Sequence, residues 1–252
     1  MKRYLKGLYM SFGMFCIIPQ PFQLWDASCV NLVLPCFPVV GGIIGALWWG
    51  LVRLMILRGI GVILASAVAA LFPFILSGFI HLEGYMDTSD AVLSRRPLED
   101  KLRILKDPHT GAFAVIMLAV LFILWLALVF TVIENGIYIV LIAIIPVLSR
   151  CCAALSILRL KILAQSSYAN SFRQNTGAPH IAFIVITAAA GVAFSFFFAG
   201  LRGLAVSAAV MAGFAAAMAF AYKDLKGVSG DLAGFALVTG ELCGLAAMAV
   251  IS

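Results

Sequence analysis

Seven apolar runs, each long enough to cross a bilayer as a helix, leave this chain few folds to choose from. They cover residues 34–57, 59–80, 112–132, 137–158, 181–199, 204–221 and 232–251. Hydrophobic residues make up 64% of the 252 and charged residues 11%, against about half and about a quarter in soluble domains. A mean hydropathy of +1.12 agrees. Continuous apolar runs exclude the alternating pattern of an outer-membrane barrel, and no repeat of solenoid period is present. The expected fold is all-α: a polytopic helical integral membrane protein with about seven transmembrane helices, forming a single domain over 1–252.

Ahead of the spans, Lys2, Arg3 and Lys6 precede an apolar stretch over 8–18 that ends among Pro19 and Pro21. It is short for a span and no small-x-small cleavage site follows it, so a short N-terminal re-entrant or interfacial helix is expected. Trp25 suits the headgroup level. The Gly41–Gly45 step would let another helix approach closely. With the N-terminus cytoplasmic, only Arg53, Arg58 and Arg202 of the 17 basic residues fall outside. That orientation, in a cell (inner, cytoplasmic) membrane, gathers 81–111, Arg150, 159–179 and 223–231 on the cytoplasmic side. The net charge of +6 lies at span ends and forms no basic stripe, so nucleic acid is not an expected partner. The six cysteines lack zinc or disulfide spacing and read as packing residues.

Residues 81–111 stand apart. Six of the 11 acidic residues fall there: Glu83, Asp87, Asp90, Glu99, Asp100 and Asp107. On a helix, spacings of four and three put Glu83, Asp87 and Asp90 within an arc of about 60°. Three like charges on one face repel unless something neutralises them, and Mg²⁺ does so through a few carboxylates plus phosphate oxygens. A solvated loop of mutually paired charges is the plainer alternative. It is disfavoured because the carboxylates follow a span directly and stack on one face. Asp107 would share a face with Asp100, while Arg95, Arg96 and Lys106 suit phosphate oxygens. His81 lies on another face of the same helix, where it could position a phosphate or accept a proton.

Other polar residues are ambiguous. Asp231 opens the last span and reads either as a site residue or as a helix cap. Glu241 lies inside that span, where a carboxylate needs a partner or a cavity. Arg150 could bind phosphate or snorkel to the interface. No Walker loop or dinucleotide fingerprint is present, so a nucleotide would arrive as substrate.

His81-Leu82-Glu83-Gly84-Tyr85-Met86-Asp87-Thr88-Ser89-Asp90 resembles the H-x-D-G-x-x-D-T-x-D signature of the cobalamin synthases, the adenosylcobinamide-GDP ribazoletransferases. The resemblance continues through Arg103–Gly111, Ser149-Arg150, Gly230-Asp231-x-x-Gly234 and Gly240-Glu241, and covers nearly the whole chain. Glu83 stands where the family usually has Asp, which keeps the carboxylate on a longer stem; Ala91 stands where Gly usually follows. The resemblance implies a Mg²⁺-dependent transferase that joins adenosylcobinamide-GDP to α-ribazole or its 5′-phosphate and releases GMP. It implies metal ligation by Glu83, Asp87, Asp90 and Asp107, and catalytic roles for His81, Asp87 and Asp107. Substrate contacts would come from Arg95, Arg96, Lys106, Arg150, Asp231 and Glu241. A homo-oligomer, or a complex with other corrinoid-pathway enzymes, is left open.

Two other readings compete. A CDP-alcohol phosphotransferase needs D-G-x-x-A-R, which 83–88 does not match, and a prenyltransferase wants two Asp-rich motifs. A transporter would carry its polar groups at midplane depth in paired halves.

Overall fold

The computed structural model describes residues 2–163 and 167–251. Among them every regular element is a helix, with a single isolated backbone bridge between Ile162 and Val228. Residues 164–166, part of the polar 159–179 segment, lie outside the described residues.

α1 (Lys2–Phe15) is 14 residues long, about 21 Å at 1.5 Å per residue, and so too short for a hydrocarbon core of about 30 Å. It lies against the segment that leads into α2 (Val33–Leu57). Gly7 packs on Leu32, leaving no room for a Cβ. Lys6 pairs with Asp26 at 2.8 Å, and Arg3 donates to the Ser28 carbonyl at 2.8 Å. The glycine step in α2 works as its spacing predicts. Gly41 rests on the Pro146 carbonyl and the Arg150 stem, and Gly45 on the Ala143 carbonyl, so α7 (Ile145–Arg159) runs at backbone contact with α2.

The run over 59–80 is not one straight span. α3 (Val62–Leu76) stops at a break where Gly78 and Phe79 have φ of 63° and 60°, and α4 (Ile80–Leu93) leaves at 89° to it. The N-terminal segment meets this break: Ile17 donates to the Leu76 carbonyl at 2.8 Å and its side chain packs on Gly78. α4 then crosses the polar ends of two other helices. Gly84 sits on the Asp231 backbone and Gly234 on the His81 backbone, at the start of α10 (Gly230–Ile251). The Asp90 carboxylate lies against Gly111, at the start of α6 (Ala112–Asn135). We therefore describe α4 as a border helix rather than part of a span.

α5 (Leu98–Ile104) and α8 (Ser167–Arg173) are short border helices. α9 (Ala178–Leu225) doubles back at Gly200, whose φ and ψ are 56° and −136°. Gly203 lies against the Ser195 carbonyl, although eight residues of continuous helix would separate them by about 12 Å. Its two arms are the predicted fifth and sixth runs. Taking α9 as one element, five helices are long and apolar enough to cross a membrane, or six when α3 and α4 count as one broken span. Two predicted runs give α-helices of only 15 residues: α3, cut short by the break, and α7, which a 3-10 turn over Ile139–Ala143 precedes.

The three polar segments meet at one end. Lys101 of α5 forms an ion pair with Asp224 at the end of α9. Leu163 donates to the Val228 carbonyl at 2.9 Å and Val228 to the Lys161 carbonyl at 2.8 Å. Residues 81–111, 159–163 and 223–231 thus form one polar layer.

Candidate active site

α4 gives that layer its acidic face. Glu83 is exposed, while Asp87 and Asp90 are half-buried on the same side, as the spacing predicts. Asp231 joins them from α10 because Gly84 lets the two backbones touch. The space beside Gly84 is therefore filled by α10. Burial first, then the charges of Asp231, Glu83 and Asp90, push the Asp87 carboxyl up to about 6. Coulombic coupling of this kind reaches farther than metal ligation. Among the described residues no three His, Cys, Asp or Glu side chains stand together as a ready ligand set.

Such an arrangement suits Mg²⁺ better than a metal held wholly by protein. Mg²⁺ keeps several waters and takes one or two carboxylates, completing its shell with substrate phosphate oxygens. A half-buried carboxyl whose pKa is raised by burial and then by three neighbouring acids is one whose charged form a divalent cation would favour. Glu83, Asp87 and Asp90 are the carboxylates that the acidic face offers to such an ion, one or two of which would suffice.

His81 occupies the opposite side of α4. It is 7% exposed, and its ring meets Phe15 and Phe37 with centroids 6.0 Å and 5.5 Å away. Burial, and then the charge of Arg150, push its pKa well below the usual value, so the imidazole is neutral. Nε2 has no hydrogen-bond partner. The ring lines a cavity of about 330 Å³, walled also by Phe15, Phe37, Leu237, Lys106 and Asp231. Asp231 is the carboxylate common to the cavity wall and the acidic cluster, and Ser229 donates to it at 3.2 Å.

The remaining predicted residues divide in two. Lys106 is exposed at the cavity rim, and Arg95 (φ 55°) and Arg96 are exposed at the turn after α4. Asp107 lies on the loop beside Lys106, where His109 donates to it through its backbone at 2.9 Å and meets it with Nδ1 at 2.7 Å. These bonds hold its carboxyl below the usual range, and its partner is His109 rather than the α4 acids. Arg150 and Glu241 pair with each other. Nη1 donates to Oε1 at 2.8 Å, Ser149 donates to the same oxygen at 2.8 Å, and the guanidinium lies 5.4 Å from the Phe37 ring. Sequence spacing gives no hint of that pairing, since the partners are 91 residues apart.

Two features escape the sequence reading. The aromatic box of Phe15 and Phe37 around His81 depends on where α1 docks. The Lys101–Asp224 pair has a local signal, because Leu98, Lys101, Leu102 and Leu105 fall on one helix face, leaving a lysine in an apolar stripe.

Fold and site together define a multi-pass helical membrane protein with an acidic cluster at the border of its spans. The cobalamin-5-phosphate synthase (CobS) family model matches residues 7–249, and the chain belongs to that family. It is 35% identical over 245 residues to an adenosylcobinamide-GDP ribazoletransferase of Clostridium botulinum (strain Alaska E43 / Type E3), covering 97% of each chain. A protein of the same name from Clostridium perfringens (strain 13 / Type A) is 35% identical over 252 residues, covering 100% of each. One from Geobacillus kaustophilus (strain HTA426) is 32% identical over 251 residues, covering 96% of this chain and 94% of its own. No solved structure matches.

Proposed function

We propose that this chain is a Mg²⁺-dependent adenosylcobinamide-GDP ribazoletransferase, working at the cytoplasmic face of the membrane. The observation that carries the reading is the meeting of the α4 acids with Asp231 beside the cavity. Full-length similarity to proteins of that name supports it, and the basic residues crowding the polar layer support the orientation.

In the proposed reaction a ribose hydroxyl of the acceptor attacks the phosphoryl group that carries the cobinamide. The new P–O bond forms as the bridging P–O bond breaks, and GMP leaves with the bridging oxygen. A product that keeps a 5-phosphate, as the family description states, requires attack by a ribose hydroxyl other than the 5′ one. Asp231, at the cavity wall, accepts the hydroxyl proton. Glu83, Asp87 and Asp90 would hold Mg²⁺, one or two of them directly and the rest through its waters, and the ion would supply charge neutralisation at the diphosphate. Lys106, Arg95 and Arg96 steady phosphate oxygens from the exposed side. His81, neutral and unpartnered, faces the acceptor.

The test is GMP release by purified protein in detergent or liposomes, supplied with adenosylcobinamide-GDP, α-ribazole and Mg²⁺. Release should require both substrates and should stop with EDTA. Folded protein that releases no GMP under these conditions overturns the reading.

A further inference from the structure

The cavity beside His81 is polar at one end and apolar at the other. Lys106 is exposed and Asp231 half-buried, whereas Leu34, Ala153 and Leu237 are each 1% exposed or less and close the far end. Its volume, about 330 Å³, lies at the low end of the range of about 300–1,000 Å³ for small-molecule pockets. That is room for one nucleoside and far too little for a corrinoid. Within it, His81 Nε2 is a buried polar atom without a partner, and Phe15 and Phe37 flank the ring that carries it.

We propose that this cavity binds the heteroaromatic base of the acceptor nucleoside, with His81 Nε2 donating to its free ring nitrogen and the sugar at the mouth beside Asp231. The assignment rests on the ribazoletransferase reading. A benzimidazole attached to ribose through one nitrogen keeps a single acceptor on an otherwise apolar bicycle. One unpartnered imidazole nitrogen among aromatic and aliphatic walls matches that inventory. A purine would bring further polar edges that these walls leave unpaired, so it should be rejected. The sugar hydroxyls would then lie where the cavity meets the acidic cluster.

Ala153→Leu and Ile157→Phe, one turn apart on α7, fill the cavity without touching the proposed catalytic residues. With full-length protein in detergent, each should raise the Kd for α-ribazole about tenfold, and KM likewise, while KM for adenosylcobinamide-GDP moves by less than about twofold. Ala153→Cys supplies a gentler probe. Its labelling by a thiol reagent, above the wild-type background, should slow when α-ribazole is added. Unchanged α-ribazole binding in both filled variants, or labelling indifferent to α-ribazole, overturns the proposal even if turnover is normal. Cavity-dependent binding without any GMP release would overturn the transferase reading alone and uphold the pocket assignment.

Discussion

Arg150 donates to Glu241 at 2.8 Å inside the helix bundle, and the two residues are only 2% and 3% exposed. Charges so placed survive only as a pair, since neither can reach water. Arg150 also donates to the Pro146 carbonyl at 3.2 Å and so braces α7 at its contact with α2. Glu241→Gln should cost about 3 kcal/mol of stability by leaving the guanidinium uncompensated, and Ser149→Ala about 1 kcal/mol. Replacing the pair together, as Arg150→Met with Glu241→Leu, should recover most of the loss. Thermal unfolding of the detergent-held protein reads all three. A Glu241→Gln protein that melts normally but binds adenosylcobinamide-GDP poorly would return the pair to the substrate site.

Asp87 makes the metal-free protein pH-sensitive. Its carboxyl is raised from the ordinary range to about 6, so between those values the folded chain holds this proton more tightly than the unfolded chain does. Its stabilising contribution is present at low pH and is lost as pH rises through about 6. Without metal, the wild type should lose thermal stability between pH 5 and pH 7.5 relative to Asp87→Asn. Added Mg²⁺ should do the reverse, raising Tm at pH 7.5 and not at pH 5, because the ion competes with the proton. A Mg²⁺ response that is the same at both pH values, or that persists in Asp87→Asn, would remove Asp87 from the metal site.

Much of this architecture is legible from local spacing. Apolar run length marks the helices, the four-then-three spacing puts Glu83, Asp87 and Asp90 on one face, and the Gly41–Gly45 step marks a close helix contact. What spacing cannot carry is the choice of distant partner. Ser77, Gly78 and Phe79 sit inside an apolar run, and only the docking of Ile17 and α10 shows why the chain turns by 89° there. Arg150 and Glu241 each look like ligands for a phosphate or a cavity until the fold brings them together. Asp107 shares a nominal helix face with Asp100, but the loop after α5 ends that helix and gives Asp107 to His109 instead.

The contact between α4 and α10 offers a sharper comparison. A Cβ at Gly84 would come within 2.8 Å of the Asp231 backbone, which cannot move aside as a flexible side chain would. Gly84→Ala should therefore cost on the order of 1–3 kcal/mol through overpacking and shift Asp231 away from the cavity, lowering kcat. At Gly230, on the cavity wall, an added Cβ meets nothing within 4 Å, so Gly230→Ala should leave Tm near wild type. Equal effects of the two substitutions would show that close packing is not what fixes Asp231.

Lys101 carries the docking of α5. Its side chain is 9% exposed and pairs with the 34%-exposed carboxylate of Asp224, so the two ends of the pair are unequally solvated. Removing the carboxylate strands a buried ammonium, whereas removing the ammonium leaves a carboxylate that water can still reach. Asp224→Ala should accordingly destabilise more than Lys101→Met, whose side chain keeps the apolar stem packed among Leu98, Leu102 and Leu105. Both should speed hydrogen exchange in α5 and the adjoining loop, which bears Lys106, and raise KM for the diphosphate substrate more than they lower kcat. Exchange and unfolding measured on the two variants decide this: a larger loss from Lys101→Met would mean that the lysine serves something other than its pairing with Asp224.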